Sequence, residues 1–176
     1  MIADAVRIEQ VGSPLLAAGG EVSPAGELAA LTRADLQPIV TDAIADWAGA
    51  GLAADQLEAL LAVDFIITDL PGAMLGLATL DAIYLDVNAA GHGWFIDPTP
   101  GVNEEFQLTK DGGLRAVDPR VIDRMDLLTV VSHELGHTLG LPDLDPSIGS
   151  LMSGTLEPGL RREPCVAEID ALFAQF

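Results

Sequence analysis

The chain has 176 residues, enough for one domain with its own core and short for two. Its 27 acidic residues against 8 basic give a formal charge of −19, which opposes nucleic-acid phosphates and anionic membranes, so neither is an expected partner. The single cysteine, Cys165, excludes an internal disulfide and a Cys-rich zinc site, and reads as a small buried hydrophobe.

The start, Met1-Ile2-Ala3-Asp4, has neither the basic nor the apolar region of a signal peptide. The apolar run Ala59–Ile67 is interrupted by Asp64 and falls short of a bilayer span. Residues 1–25 read as an N-terminal arm punctuated by Gly12, Pro14, Gly19, Gly20 and Pro24, with room for one short strand at Val6–Ile8. Thr32, with Asp35 three residues on, is an N-cap signal. Leu36, Ile39, Val40, Ala43, Ile44 and Trp47 then follow at helical spacing to Gly51, with Pro38 delaying or bending the first turns. A second short helix is expected over Ala54–Leu61. Val63–Asp69 is rich in β-branched residues and reads as a buried strand, and Ala73–Thr79 and Ala82–Asp86 as two more. Beyond them, Asn88–Pro100 is loop-like apart from a possible strand at Trp94–Ile96, and residues 101–120 read as irregular. Asp126 is positioned to cap a buried helix running to Gly140. Turns follow, and a last helix spans Val166–Ala174 with Ile169, Leu172 and Phe173 inward.

The chemistry concentrates in His133-Glu134-Leu135-Gly136-His137-Thr138-Leu139-Gly140-Leu141-Pro142-Asp143. Histidines at i and i+4 share one face of a helix and can converge on one ion, while Glu134 lies off that line. Gly140 can end the helix in a left-handed turn, after which Asp143 can swing back as a third ligand. Each residue also has an ordinary role: buried histidines, a helix-surface glutamate, Pro-Asp turn chemistry, and Met152 as core packing. The remaining histidine, His92 in Gly91-His92-Gly93, is a weaker candidate ligand in a distant loop. A non-haem Fe(II) triad could use the same ligand types, but it has no need of Glu134.

Together His133-Glu134-x-x-His137-x-x-Gly140-x-x-Asp143 and the downstream Met152 in Ser150–Gly154 resemble the metzincin zinc-peptidase signature with its Met-turn. The Asp third ligand is similar to the snapalysin group. Matrixin-like features are the helix with Trp47, the strands with Leu77-Ala78-Thr79 and Ala82–Asp86, and the closing helix Glu168–Phe173. Detailed similarity covers about residues 126–154. The resemblance implies an α/β (α+β) zincin fold in one catalytic domain. A twisted mixed sheet would be backed by a helix and the active-site helix, with arm 1–25, upper subdomain 26–140 and a small lower subdomain 141–176.

It also implies Zn²⁺ held by His133, His137 and Asp143, with Glu134 as general base in hydrolysing a peptide bond. The substrate would be a protein or peptide bound extended on an exposed edge at Ala73–Thr79. The loop Thr155–Pro164, with Arg161 and Arg162, would form a pocket wall. Gly154 stands where some relatives carry a tyrosine switch, and the only tyrosine, Tyr84, lies in a strand. Two alternatives are a degenerate peptidase-like binding module and a zinc hydrolase acting mainly on non-peptide esters or amides. Asp81, Asp86, Asp97, Asp111, Asp143 and Asp145 offer a weak expectation of structural Ca²⁺ without an EF-hand pattern. A monomeric, mature domain of a secreted bacterial protein is expected.

Overall fold

The structure, a computed structural model, describes residues 9–24, 26–110 and 113–174. The strand expected at Val6–Ile8 and the side chain of Phe173 lie outside what is described. A short strand β1 (Leu15–Ala17) is followed by helix α1 (Arg33–Ala50). Thr32 and Asp35 close the capping box that starts α1, and Gly51, at φ 115°, ends it in the left-handed conformation. Pro38 is accommodated inside α1. Helix α2 (Ala54–Leu61) leads to β2 (Asp64–Thr68), β3 (Met74–Ala78) and β4 (Ala82–Asp86).

These strands, with β9 (Thr155–Leu156) from far down the chain, make one mixed sheet in the order β2-β4-β3-β1-β9. β2 and β4 are parallel, as are β1 and β9; β3 is antiparallel to both β4 and β1. The β-branched run Val63–Asp69 therefore forms an outer strand, with Phe65 and Ile67 turned to the core and Asp64 and Ile66 exposed. Its composition suits a buried strand equally well, and what distinguishes the two is that no described residue pairs beyond β2.

Between β4 and the site helix lie β5 (Trp94–Phe95), the hairpin β6 (Phe106–Leu108) and β7 (Leu114–Ala116), and β8 (Met125–Asp126). Residues 101–120 are thus not irregular throughout. Register pairs Phe106 with Ala116 and Leu108 with Leu114, and Thr109 N–H donates to the Gly113 carbonyl at 2.7 Å. Strands this short carry too few alternations to stand out from a polar, Gly-rich background.

Helix α3 (Leu127–Thr138) occupies the centre, touching β3 and β1 as well as α1, and every residue from Leu127 to His137 is buried. Asp126 caps it by accepting from Thr129 N–H at 3.1 Å, a contact of about 1 kcal/mol. Trp47 of α1 is fully buried and donates its indole N–H to the Ser132 carbonyl at 3.0 Å, which ties α1 to α3. Past α3 come a 3₁₀ turn (Pro146–Ile148), then β9, then β10 (Leu160–Arg161), which pairs with β7, and α4 (Val166–Phe173). Ile169 and Leu172 of α4 are buried in the main core. Cys165 is exposed, not buried: it precedes α4, and its N–H donates to the Glu168 carboxylate at 2.9 Å. No helix among the described residues is long and apolar enough to cross a membrane.

Candidate metal centre

One turn apart on α3, the His133 and His137 rings meet edge to face at 4.7 Å between centroids. Each is held from behind. His133 Nδ1 lies 2.8 Å from the Leu151 carbonyl, and His137 Nδ1 lies 2.8 Å from the Leu141 carbonyl. A carbonyl only accepts, so each Nδ1 carries the proton and each Nε2 presents its lone pair forward. Both Nε2 atoms are buried and have no hydrogen-bond partner.

The third group arrives by the turn that ends α3. Gly140 adopts φ 94°, Gly140 N–H donates to the His137 carbonyl, and Leu141 N–H donates to the Gly136 carbonyl at 3.0 Å. This closure reverses the chain and carries Asp143 under the helix. Asp143 Oδ1 then lies 3.5 Å from His133 Nε2 and 3.4 Å from His137 Nε2, and it is itself buried without a hydrogen bond. Ligand atoms about 2.0–2.1 Å from a tetrahedral ion sit about 3.3–3.4 Å apart, so the observed spacings suit a shared cation better than direct hydrogen bonds. These are the residues whose ligand atoms gather within 4.8 Å, and among the described residues no second such group occurs. The group could hold a metal ion.

Met152 lies beneath α3, 1% exposed, and a Cβ on Gly136 would come 2.5 Å from its sulfur. The same turn supplies the Leu151 carbonyl to His133, so it both packs under the helix and orients the imidazole. Glu134 is fully buried beside the histidines. Its Oε1 accepts from Leu15 N–H at 3.4 Å, and its Oε2 has no partner. Gly76 of β3 leaves room for it; a Cβ there would lie 2.7 Å from Oε1.

Burial pushes the Glu134 carboxyl up to about 7, against the pull of His133 and the backbone N–H groups. Burial likewise lowers His137, reinforced by His133, so the imidazole favours its neutral form, the one that can offer a lone pair to a cation. Burial raises Asp143, but His133, His137 and Ser13 N–H outweigh it and hold the carboxyl below its ordinary range.

His133, Glu134, His137 and Asp143 are therefore brought together, while other sequence candidates are not. His92 Nε2 faces the Gly20 carbonyl at 3.0 Å, away from the group. Asp86 is occupied by the N–H groups of Leu70, Asn88 and Ala90, and Asp97 by Thr99 N–H and Arg161. Asp81 and Asp145 belong to no described cluster of possible ligands, and Asp111 lies outside the described residues. Arg161 and Arg162 line a cavity that also takes in Leu151, Glu163 and Pro164, but the Arg161 guanidinium is engaged in the interior. It is fully buried between Asp97 and Asp126, because two carboxylates in the interior require a cation among them.

The edge expected to receive substrate is also not free. β3 is covered by the chain's own segment leading into β1, and Gly12, Ser13 and Leu15 touch the site. Pairing 130 residues distant in sequence leaves no local signal; the glycine and proline in that segment read equally as arm punctuation. Comparison of the chain with family models, curated proteins and solved structures finds no match.

Proposed function

We propose that the protein is a zinc-dependent endopeptidase of the metzincin kind, with His133, His137 and Asp143 as metal ligands and Glu134 as its acid–base residue. What carries this reading is the set of three buried, unpartnered ligand atoms at tetrahedral spacing with an unpartnered carboxylate beside them. Buried polar atoms left without partners cost about 1–3 kcal/mol each, an expense that a bound cation removes. The finer fold reading has support in the mixed sheet over α3, α1 packed behind it, the reversal at Gly140 and the Met152 turn.

A bound Zn²⁺ would supply Lewis acidity toward a carbonyl oxygen and make water a stronger acid. The rest falls to the chain. The Leu151 and Leu141 carbonyls fix both imidazoles in the ligating tautomer, and Asp143 adds a charge that leaves the centre near +1. Glu134, poised near neutrality, takes the proton of the attacking water on its free Oε2 and returns it to the leaving amine.

Metal content by mass spectrometry, run beside cleavage of a denatured protein, tests this. About one zinc per chain is expected in the wild type and in Glu134→Ala, with cleavage only in the former, and weakened zinc binding in Asp143→Ala. Iron in place of zinc, or full cleavage without Glu134, would overturn it.

A further inference from the structure

We propose that Gln10–Ala17 is a built-in occupant of the peptide channel at this site, competing with external peptides so that the intact chain cleaves them more slowly until the segment is displaced, and that its contacts define the guest the channel takes. This rests on reading the centre as one that handles extended peptides.

The segment is bonded on both flanks as an added strand would be. On the β3 side, Leu80 N–H donates to the Glu9 carbonyl at 3.1 Å and Val11 N–H to the Ala78 carbonyl at 3.1 Å. Gln10 then bridges Thr79, Leu15 pairs with Gly76 and Leu16 with Met74, all antiparallel. On the other side β9 runs parallel, with Leu16 N–H donating to the Gly154 carbonyl at 3.2 Å and Ala18 N–H to the Leu156 carbonyl at 2.8 Å. This is the geometry of a peptide captured by strand addition, in which the main chain supplies affinity and alternate side chains supply selectivity.

The register makes the segment more than one further sheet strand. From Gln10 to Leu15 the segment advances five residues while its partners, Thr79 to Gly76, advance three. The surplus arches away from β3 onto the metal-ligand group. Gly12 packs on the His137 ring so closely that a Cβ would overlap it. Ser13 N–H donates to Asp143 Oδ2 at 2.9 Å, and Leu15 N–H to Glu134 Oε1 at 3.4 Å. Three of the four residues Gly12–Leu15 thus touch a metal-ligand imidazole, a ligand carboxylate and the acid–base carboxylate, leaving no room there for a second backbone.

Side chains set the guest's chemistry. Leu15 and Ala17 are buried at 1% and 4% exposure, while Leu16 between them is only partly covered. The channel therefore fits an extended peptide with a glycine against His137 and a large aliphatic residue three positions later. A tethered occupant competes at an effective concentration of about 1 mM, so an external peptide of equal intrinsic affinity at about 1 μM is disadvantaged about 1000-fold.

The test separates occupancy from catalysis. A sequence-specific protease site is inserted in the Gly19–Gly20 turn, where a side chain at either glycine would meet nothing within 4 Å. The full chain is folded intact and then cut, so the segment is held without a tether. The probe is a fluorescent synthetic decapeptide of residues 9–18, with a second version carrying Leu15→Asp, read by anisotropy. A full-length Gly12→Val chain, which cannot seat the segment on His137, serves if cutting disrupts the fold.

The uncut chain is expected to take up little probe. The cut chain or Gly12→Val should bind it at least about tenfold more tightly, and should reject the Leu15→Asp version. Equal uptake by uncut, cut and Gly12→Val chains would overturn the proposal. Selective uptake with no hydrolysis in any form leaves the channel standing and removes the peptidase reading. Equal hydrolysis by cut and uncut chains does the reverse.

Discussion

Arg161→Met isolates the strongest electrostatic element of the fold. In the wild type Nη2 reaches Asp97 at 2.7 Å and Asp126 at 2.8 Å, Nε reaches Asp126 at 3.1 Å, and Nη1 reaches Asn103 at 2.9 Å. The guanidinium carbon also lies 4.3 Å from the Phe106 ring centroid. All three charged side chains are 0% exposed, and Asp126 caps the helix that carries both histidines. Methionine roughly keeps the volume but strands two carboxylates in the interior. Breaking a buried pair in this way costs about 3–5 kcal/mol. At about 2–4 °C per kcal/mol for a chain of this size, Tm should fall by about 6–20 °C at pH 7.5. A carboxylate stripped of its cation has a folded pKa above its unfolded one, so the variant should regain stability as pH falls. Urea unfolding of both chains at pH 7.5 and pH 5 measures this. A loss under about 1 kcal/mol at pH 7.5, or a deficit that does not shrink at pH 5, would refute the assignment of a paired buried triad.

Other perturbations probe the site and its surroundings. Gly76→Ala places a Cβ 2.7 Å from Glu134 Oε1, and the three atoms nearest to that Cβ all belong to Glu134, so metal affinity should hold while cleavage falls about 100-fold. Parallel loss of metal binding would show that the two functions are not separable there. Zinc at 100 times its Kd should add about 2.7 kcal/mol of stability, seen as a raised Tm, and Asp143→Ala should lose most of the gain. An equal rise in both proteins counts against the third ligand.

Burial, with Glu163 and Asp42 nearby, raises Asp46 to about 6 from its ordinary 3.8. The folded chain then keeps a proton that the unfolded chain has already released, so this group costs stability as pH rises from about 4 to about 6. Allowing for screening by solvent, Asp46→Asn should be more stable than wild type by about 1 kcal/mol at pH 7.5 and equal to it at pH 4. Identical unfolding curves at pH 7.5 contradict the shift.

Local chemistry made much of this protein legible from its residues. The Thr32–Asp35 box, the stop at Gly51 and the Asp126 cap act within a few residues, and all appear where the pattern predicts them. His133, His137 and Asp143 were readable because one helical turn and one glycine reversal bring them together, with no long-range pairing required. Tertiary structure alone decided what those residues face. β2 is an outer strand because no described residue pairs beyond it, and Arg161 is internal because Asp97 and Asp126 converge from separate elements. The segment at Gly12–Leu15 reaches the centre only through strand pairing with β3 and β9, whose partners lie about 60 and 140 residues away. Helical spacing and capping are fixed by neighbours in sequence. Strand partners and buried charge pairs are fixed by which distant surfaces exclude water together, and no local pattern records that choice.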